Sequence, residues 1–213
     1  MIGDIAHVCN RGVEKRQIFI DKKDYLRFVE NLYLLNNKDG KLRTERKDIF
    51  QNPTLLPEQD KLVEILRWVI LPNHYHLLIK EVVEGGIVEF TKRLGNAYTK
   101  YFNIKYDGRS GYLFQNSAKI LVIREDRHYL YIPFYIDLNA LDLSHVPLKK
   151  EKVFNFLMDY EWSSFKDFYS VSQYAPVINQ EEFYGNFDFD ADSYKKQVVN
   201  LAGRRVELEE EIS

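Results

Sequence analysis

The chain has 213 residues, with 30 Lys and Arg against 32 Asp and Glu, a formal net charge of −2 and 45% hydrophobic content. Such a composition suits one good-sized globule, and the charge balance excludes a globally basic nucleic-acid binder, so any anionic partner must meet a local patch. The single cysteine, Cys9, excludes an intrachain disulfide and a cysteine-cluster metal site and fits a cytoplasmic location, while Met1-Ile2-Gly3-Asp4 carries no signal-peptide pattern and no apolar run reaches the roughly 18 residues of a membrane span.

In chain order, residues 5–20 alternate loosely around Arg11-Gly12, as a strand, a turn and a short extended piece would. Asp21 followed by Asp24 reads as a helix start. Tyr25, Phe28, Val29, Leu32 and Leu35 then recur at helical spacing, predicting a helix over 22–36. Residues 37–60 are polar, with Gly40, Pro53 and Pro57, and form a loop insertion. Two strands, 62–70 and 74–80, flank Leu71-Pro72-Asn73. After Gly85-Gly86, the positions Ile87, Phe90, Leu94, Ala97, Tyr98 and Tyr101 mark an amphipathic helix over 87–104. Lys119 to Ile123 is a short strand, and a third helix runs from Arg124-Glu125-Asp126 to about Leu141, with Pro133 predicted to kink it. This order fits an α+β fold, an antiparallel sheet with helices packed on one face. The predicted organisation is a domain over 1–145 and a C-terminal extension over 146–213 that docks on it and ends in an acidic tail.

Chemistry concentrates in two segments. In Asn73-His74-Tyr75-His76-Leu77, the two histidines flank one residue of a strand, so both point to the same face about 7 Å apart. Paired imidazoles suit a divalent metal. In Tyr135-Ile136-Asp137-Leu138-Asn139, Tyr135 and Asn139 share a helical face. The amide supplies a hard oxygen that can join two histidines around Mg²⁺ or Mn²⁺. The phenol is a potential nucleophile, which a cation would activate from its ordinary pKa of about 10. Strand and helix together could build one phosphodiester-cleaving centre. His7 is expected to serve strand packing rather than metal binding.

Five segments in order carry a family resemblance: His7-Val8-Cys9-Asn10-Arg11-Gly12-Val13-Glu14-Lys15-Arg16, Leu71 to Leu78, Gly111-Tyr112-Leu113-Phe114-Gln115, Tyr135 to Asn139, and Asp159-Tyr160-Glu161-Trp162-Ser163-Ser164-Phe165. In these the chain resembles the REP-associated tyrosine transposases, relatives of the single-tyrosine HUH transposases of insertion sequences. The resemblance implies a ferredoxin-like sheet. It implies that His74 and His76, with Asn139 as third ligand, hold Mg²⁺ or Mn²⁺ on a scissile phosphate, and that Tyr135 attacks to give a 5′-phosphotyrosine. It implies single-stranded DNA folded as a hairpin as substrate, in a monomer or homodimer, with the protein on the nucleoid when bound. The chain departs from the family at Tyr75, which adds a hydroxyl between the histidines, at Ala140 in place of a proline, at Pro133 before the tyrosine, and at Asn116-Ser117-Ala118 after Gln115.

Candidate phosphate contacts form two groups: Arg11, Lys15 and Arg16 around the first turn, and Lys92, Arg93, Lys100 and Arg109 on and after the second helix, interleaved with tyrosines able to stack on unpaired bases. Two other functions fit the same residues. One is a catalytically impaired, domesticated protein that binds DNA or RNA hairpins. The other is a metal-dependent hydrolase using activated water, with Tyr135 structural.

Overall fold

The computed structural model describes residues 1–40, 42, 49–51, 56–106, 111–144, 149–170 and 172–204. Strand β1 (Ile5–Arg11) leads through a short 3-10 turn (Val13–Lys15) to helix α1 (Lys22–Leu34). The start of α1 is fixed by a reciprocal cap: the Asp21 carboxylate accepts from the backbone N–H of Lys23 and Asp24, and Asp24 accepts from that of Asp21. The hairpin β2 (Val63–Leu71) and β3 (His74–Glu81) follows, then α2 (Gly86–Lys105), β4 (Lys119–Val122) and α3 (Asp126–Leu138). A 3-10 segment (Asn139–Leu143) extends α3, and α4 (Lys150–Asp159), α5 (Gln180–Asn186) and α6 (Ala191–Leu201) complete the described chain. The acidic tail expected at the C-terminus, most of the 37–60 loop and residues 107–110 and 145–148 lie outside the described residues.

The four strands form one antiparallel sheet in the order β2-β3-β1-β4. With the connections β-α-β-β-α-β, this is the ferredoxin-like arrangement. Side chains alternate along β3, which separates two environments. Tyr75 faces α1 and α2, where its ring lies 4.7 Å from that of Phe28. His74 and His76 face the other way, toward α3, where the Tyr135 ring lies 5.5 Å from that of His76. The expectation of helices on one face therefore describes α1 and α2; α3 covers the opposite face. Pro133 sits within α3 without ending it. It removes a backbone donor, but the buried Ile132, Phe134 and Ile136 on either side hold the helix to the core.

Residue Leu66 is an extra residue in β2. Ile65 pairs with Ile79 and Arg67 with Leu78, so the register shifts by one between them. Such a bulge turns the following side chains to the other face. Without it Arg67 would lie beside Ile65 on the α1/α2 face; with it Arg67 points at α3. Residues 162–164 run along the outer side of β2, where the Ile70 N–H donates to the Trp162 carbonyl at 2.9 Å and the Ser164 N–H to the Trp68 carbonyl at 2.9 Å. They cover a strand edge that would otherwise be open.

Candidate metal and nucleophile site

The β2–β3 hairpin places His74 at the first position of β3, opposite Arg11, and His76 opposite Cys9. Both imidazoles are buried, at 6% and 4% exposure. Their ring centroids lie 5.0 Å apart, perpendicular to each other. His76 Nδ1 shares a hydrogen bond with His7 Nε2 at 2.8 Å, and the two rings stack at 5.1 Å. His74 Nδ1 bonds the side-chain oxygen of Asn73 in the hairpin turn. Each imidazole is thus held in one orientation by a neighbour, the support a metal-ligating histidine needs. Burial drives His7 and His74 down to about 4 and holds His76 well below its ordinary value, so all three are neutral at neutral pH. Neutral imidazole is the form that binds a cation.

Tyr135 comes from α3. Its ring stands edge-on to His76 and to His7, with centroids 5.5 Å and 5.7 Å away. Asn139, one turn further and 6% exposed, donates from Nδ2 to the Tyr135 carbonyl at 2.7 Å, with its side chain beside the His74 ring. The structure therefore brings His74, His76, Tyr135 and Asn139 to one place. His76 Nε2 is buried with no hydrogen-bond partner among the described residues. A buried nitrogen lone pair left unpaired costs free energy, and a bound cation would relieve that cost. Two neutral imidazoles beside a carboxamide form a donor set of nitrogen and oxygen able to hold a divalent cation.

The basic residues divide. Arg11 lies across from His74, and its charge lowers the pKa of both His74 and His76. Lys15 and Arg16 follow in the turn, where Glu14 and Lys15 have φ of 55° and 59°. The Lys15 carbonyl accepts from the Asn73 side chain at 3.2 Å, which seats this turn against the histidine hairpin. Gly12 permits the fold-back, because a Cβ there would stand 2.5 Å from the Arg16 carbonyl oxygen. Lys92 and Lys100 line a cleft of about 850 Å³ between α2 and residues 111–118, together with Asn10, Asn96, Asn103 and Tyr112. Arg93 turns away from that cleft: it pairs with Glu89 at 2.6 Å and donates to the Asn37 carbonyl at 2.6 Å, which ties α2 to the end of α1. Arg109 lies outside the described residues.

Sequence reasoning passed over two neighbours of the site. His7, expected to pack within its strand, instead hydrogen-bonds His76. Cys9, which alone could not make a cysteine-cluster site, offers its sulfur beside nitrogens of His7 and His76, with the three ligand atoms within 4.8 Å of one another. The period-2 pattern His7-x-Cys9-x-Arg11 was the available signal, since it puts all three on one face of β1.

A four-stranded ferredoxin-like sheet with a histidine pair on one face and a helix-borne tyrosine above it is the class of site seen here. No protein-family model matches the chain, and no curated protein matches it. Among solved structures it is similar to a REP-associated tyrosine transposase bound to a REP hairpin, with 16% identity over 78% of each chain and a TM-score of 0.42.

Proposed function

We propose that this chain is a metal-dependent endonuclease and strand transferase acting on single-stranded DNA near hairpins, with Tyr135 as nucleophile and His74, His76 and Asn139 as the ligands of Mg²⁺ or Mn²⁺. The observation that carries the reading is the Tyr135 ring 5.5 Å from that of His76, with the Asn139 side chain beside His74 on the same side. The motif resemblance, which spans about residues 5–170, supports the same assignment independently.

A bound divalent cation would polarise a phosphoryl oxygen and offset the charge that develops on it. The chain supplies the rest. Tyr135 Oη forms a bond to phosphorus while the bond to the 3′ oxygen breaks. The phenol proton leaves with solvent, and the departing oxygen is protonated to a 3′-hydroxyl. The product is a 5′-phosphotyrosine, one phosphodiester exchanged for another, so the reverse step can join strands without ATP. His7 and Asn73 hold the two imidazoles, and Arg11, Lys15 and Arg16 meet the DNA backbone beside them. Lys92 and Lys100, with the amides of Asn96 and Asn103 and the 90%-exposed Tyr112, receive further nucleotides in the α2 cleft.

The test is incubation of the full chain with end-labelled hairpin oligonucleotides and Mn²⁺, followed by denaturing electrophoresis. The expected result is a denaturation-resistant protein–DNA adduct that Tyr135→Phe abolishes. Binding with no adduct over many hairpins would point to the non-catalytic alternative. Cleavage that survives Tyr135→Phe but not His76→Ala would point to activated water.

A further inference from the structure

We propose that His7, Cys9 and His76 form a site for a thiophilic divalent cation, represented by Zn²⁺, whose donor set differs from the His74, His76 and Asn139 set. The three residues come from adjacent strands. Cys9 lies directly across from His76, and His7 sits two residues earlier on the same face of β1. One ligand atom from each lies within 4.8 Å of the other two. Around a tetrahedral zinc, sulfur at about 2.3 Å and nitrogen at about 2.0–2.1 Å put donors about 3.3–3.8 Å apart, so closure asks for side-chain shifts of about 1 Å. His7 Nε2 and His76 Nδ1 already face each other at 2.8 Å, and the other His76 nitrogen, Nε2, is buried without a partner among the described residues. Three protein donors leave the fourth tetrahedral position to water, as in zinc sites that exchange ligands.

The surroundings of the thiol bear on this choice of ion. Burial raises the Cys9 pKa, while Lys119, directly opposite on β4, and Arg11 pull it back toward thiolate. Lys119 is exposed, so its charge is screened by solvent. On binding, the cation takes a sulfur lone pair, and the thiol proton leaves to solvent. The N–H shared between the two imidazoles moves off the coordinating nitrogen. Nothing is oxidised or reduced. Thiolate with imidazole favours zinc-like ions over Mg²⁺, and more strongly than two imidazoles with an amide oxygen do. Because His76 belongs to both sets, the two kinds of ion compete for it.

The experiment uses tag-free, chelator-stripped full-length chain titrated with Co²⁺, which reports sulfur ligation through a near-ultraviolet charge-transfer band. The proposal expects one equivalent of that band, displaced by Zn²⁺, absent in Cys9→Ser, and requiring about 10- to 100-fold more Co²⁺ in His7→Ala. Cys9 is the sole thiol, so Zn²⁺ should also slow its alkylation at least about tenfold in the wild-type chain, a readout that does not depend on the folding of a variant. No charge-transfer band, a band that persists in Cys9→Ser, or alkylation indifferent to Zn²⁺ would overturn it. No DNA enters this assay, so its outcome and that of the tyrosine–DNA adduct are separate.

Discussion

Tyr75, between His74 and His76 in sequence but on the opposite face of β3, buries a hydroxyl that finds no partner among the described residues. Its ring packs on Phe28 and Phe114, and burial pushes its pKa up. An unpaired buried donor costs about 1–3 kcal/mol, and a residue of the same shape without it avoids that cost. Tyr75→Phe should therefore raise stability by about 1 kcal/mol or more, read from a urea midpoint at unchanged slope; a loss of stability would mean that the hydroxyl has an internal partner. The three histidines give a second prediction at this scale. Their folded pKa values lie below the unfolded value of about 6.5, so between that pH and about 4 the unfolded chain takes up protons that the fold excludes. Stability is complete above this window and falls as pH drops through it, by up to about 1.4 kcal/mol per pH unit for each excluded proton. Urea midpoints at pH 7.5, 6 and 5 should decline, and less steeply in His7→Gln; a flat profile would contradict the buried, neutral imidazoles. The pairing of His74 with His76 was legible from one strand, because period 2 needs no knowledge of partners. The role of His7 was not, because it depends on which residue of β3 stands beside β1.

Among the elements, α3 carries Tyr135, the proposed nucleophile, and is anchored from below. Asp137, two residues after Tyr135 and fully buried, accepts from Arg67 of β2 at 2.9 Å and from the Tyr194 hydroxyl of α6 at 2.6 Å. The Arg67 guanidinium lies 3.5 Å from the Phe168 ring centre and 4.4 Å from those of Phe183 and Tyr194. This clamp joins the sheet, α3 and the C-terminal helices, and it exists because the Leu66 bulge turns Arg67 to that face. Removing one member of a buried pair leaves an uncompensated charge, worth about 3–5 kcal/mol. Arg67→Met should cost about that much in chemical denaturation, and Asp137→Leu added to it should restore much of the loss. Additive losses in the double variant would contradict the clamp. Strand limits predicted at 62–70 and 74–80 fall at Val63–Leu71 and His74–Glu81, and the second helix, predicted at 87–104, spans Gly86–Lys105. Alternation and helical spacing are local signals and survive folding. The bulge left no such mark, since neither Gly nor Pro announces it, and so the partner of Asp137 was invisible in the sequence.

Across the whole molecule, the two faces of the sheet have different tasks. The α1/α2 face is an aromatic core of Phe19, Phe28, Tyr75 and Tyr98, while the other face holds the polar site under α3. The α2 cleft and the histidine site meet at the end of β1, where Asn10 lines the cleft and the next residue, Arg11, stands opposite His74. On the proposed function, a single strand of DNA would pass from one to the other around the end of β1. The cleft lining has two lysines and, among the described residues, no acid, in a chain of net charge −2. Lys92→Ala and Lys100→Ala should each lower the salt dependence of hairpin binding by about one unit of slope, with Arg93→Ala leaving that slope unchanged. Equal slopes for the wild-type and lysine variants would remove DNA from the cleft. If a helix-borne phenol and a strand-borne histidine pair act on one phosphodiester, peptide mapping by mass spectrometry of protein incubated with hairpin DNA and Mn²⁺ will find a nucleotide mass on the peptide containing Tyr135; an adduct on any other residue, or none at all, would overturn that assignment.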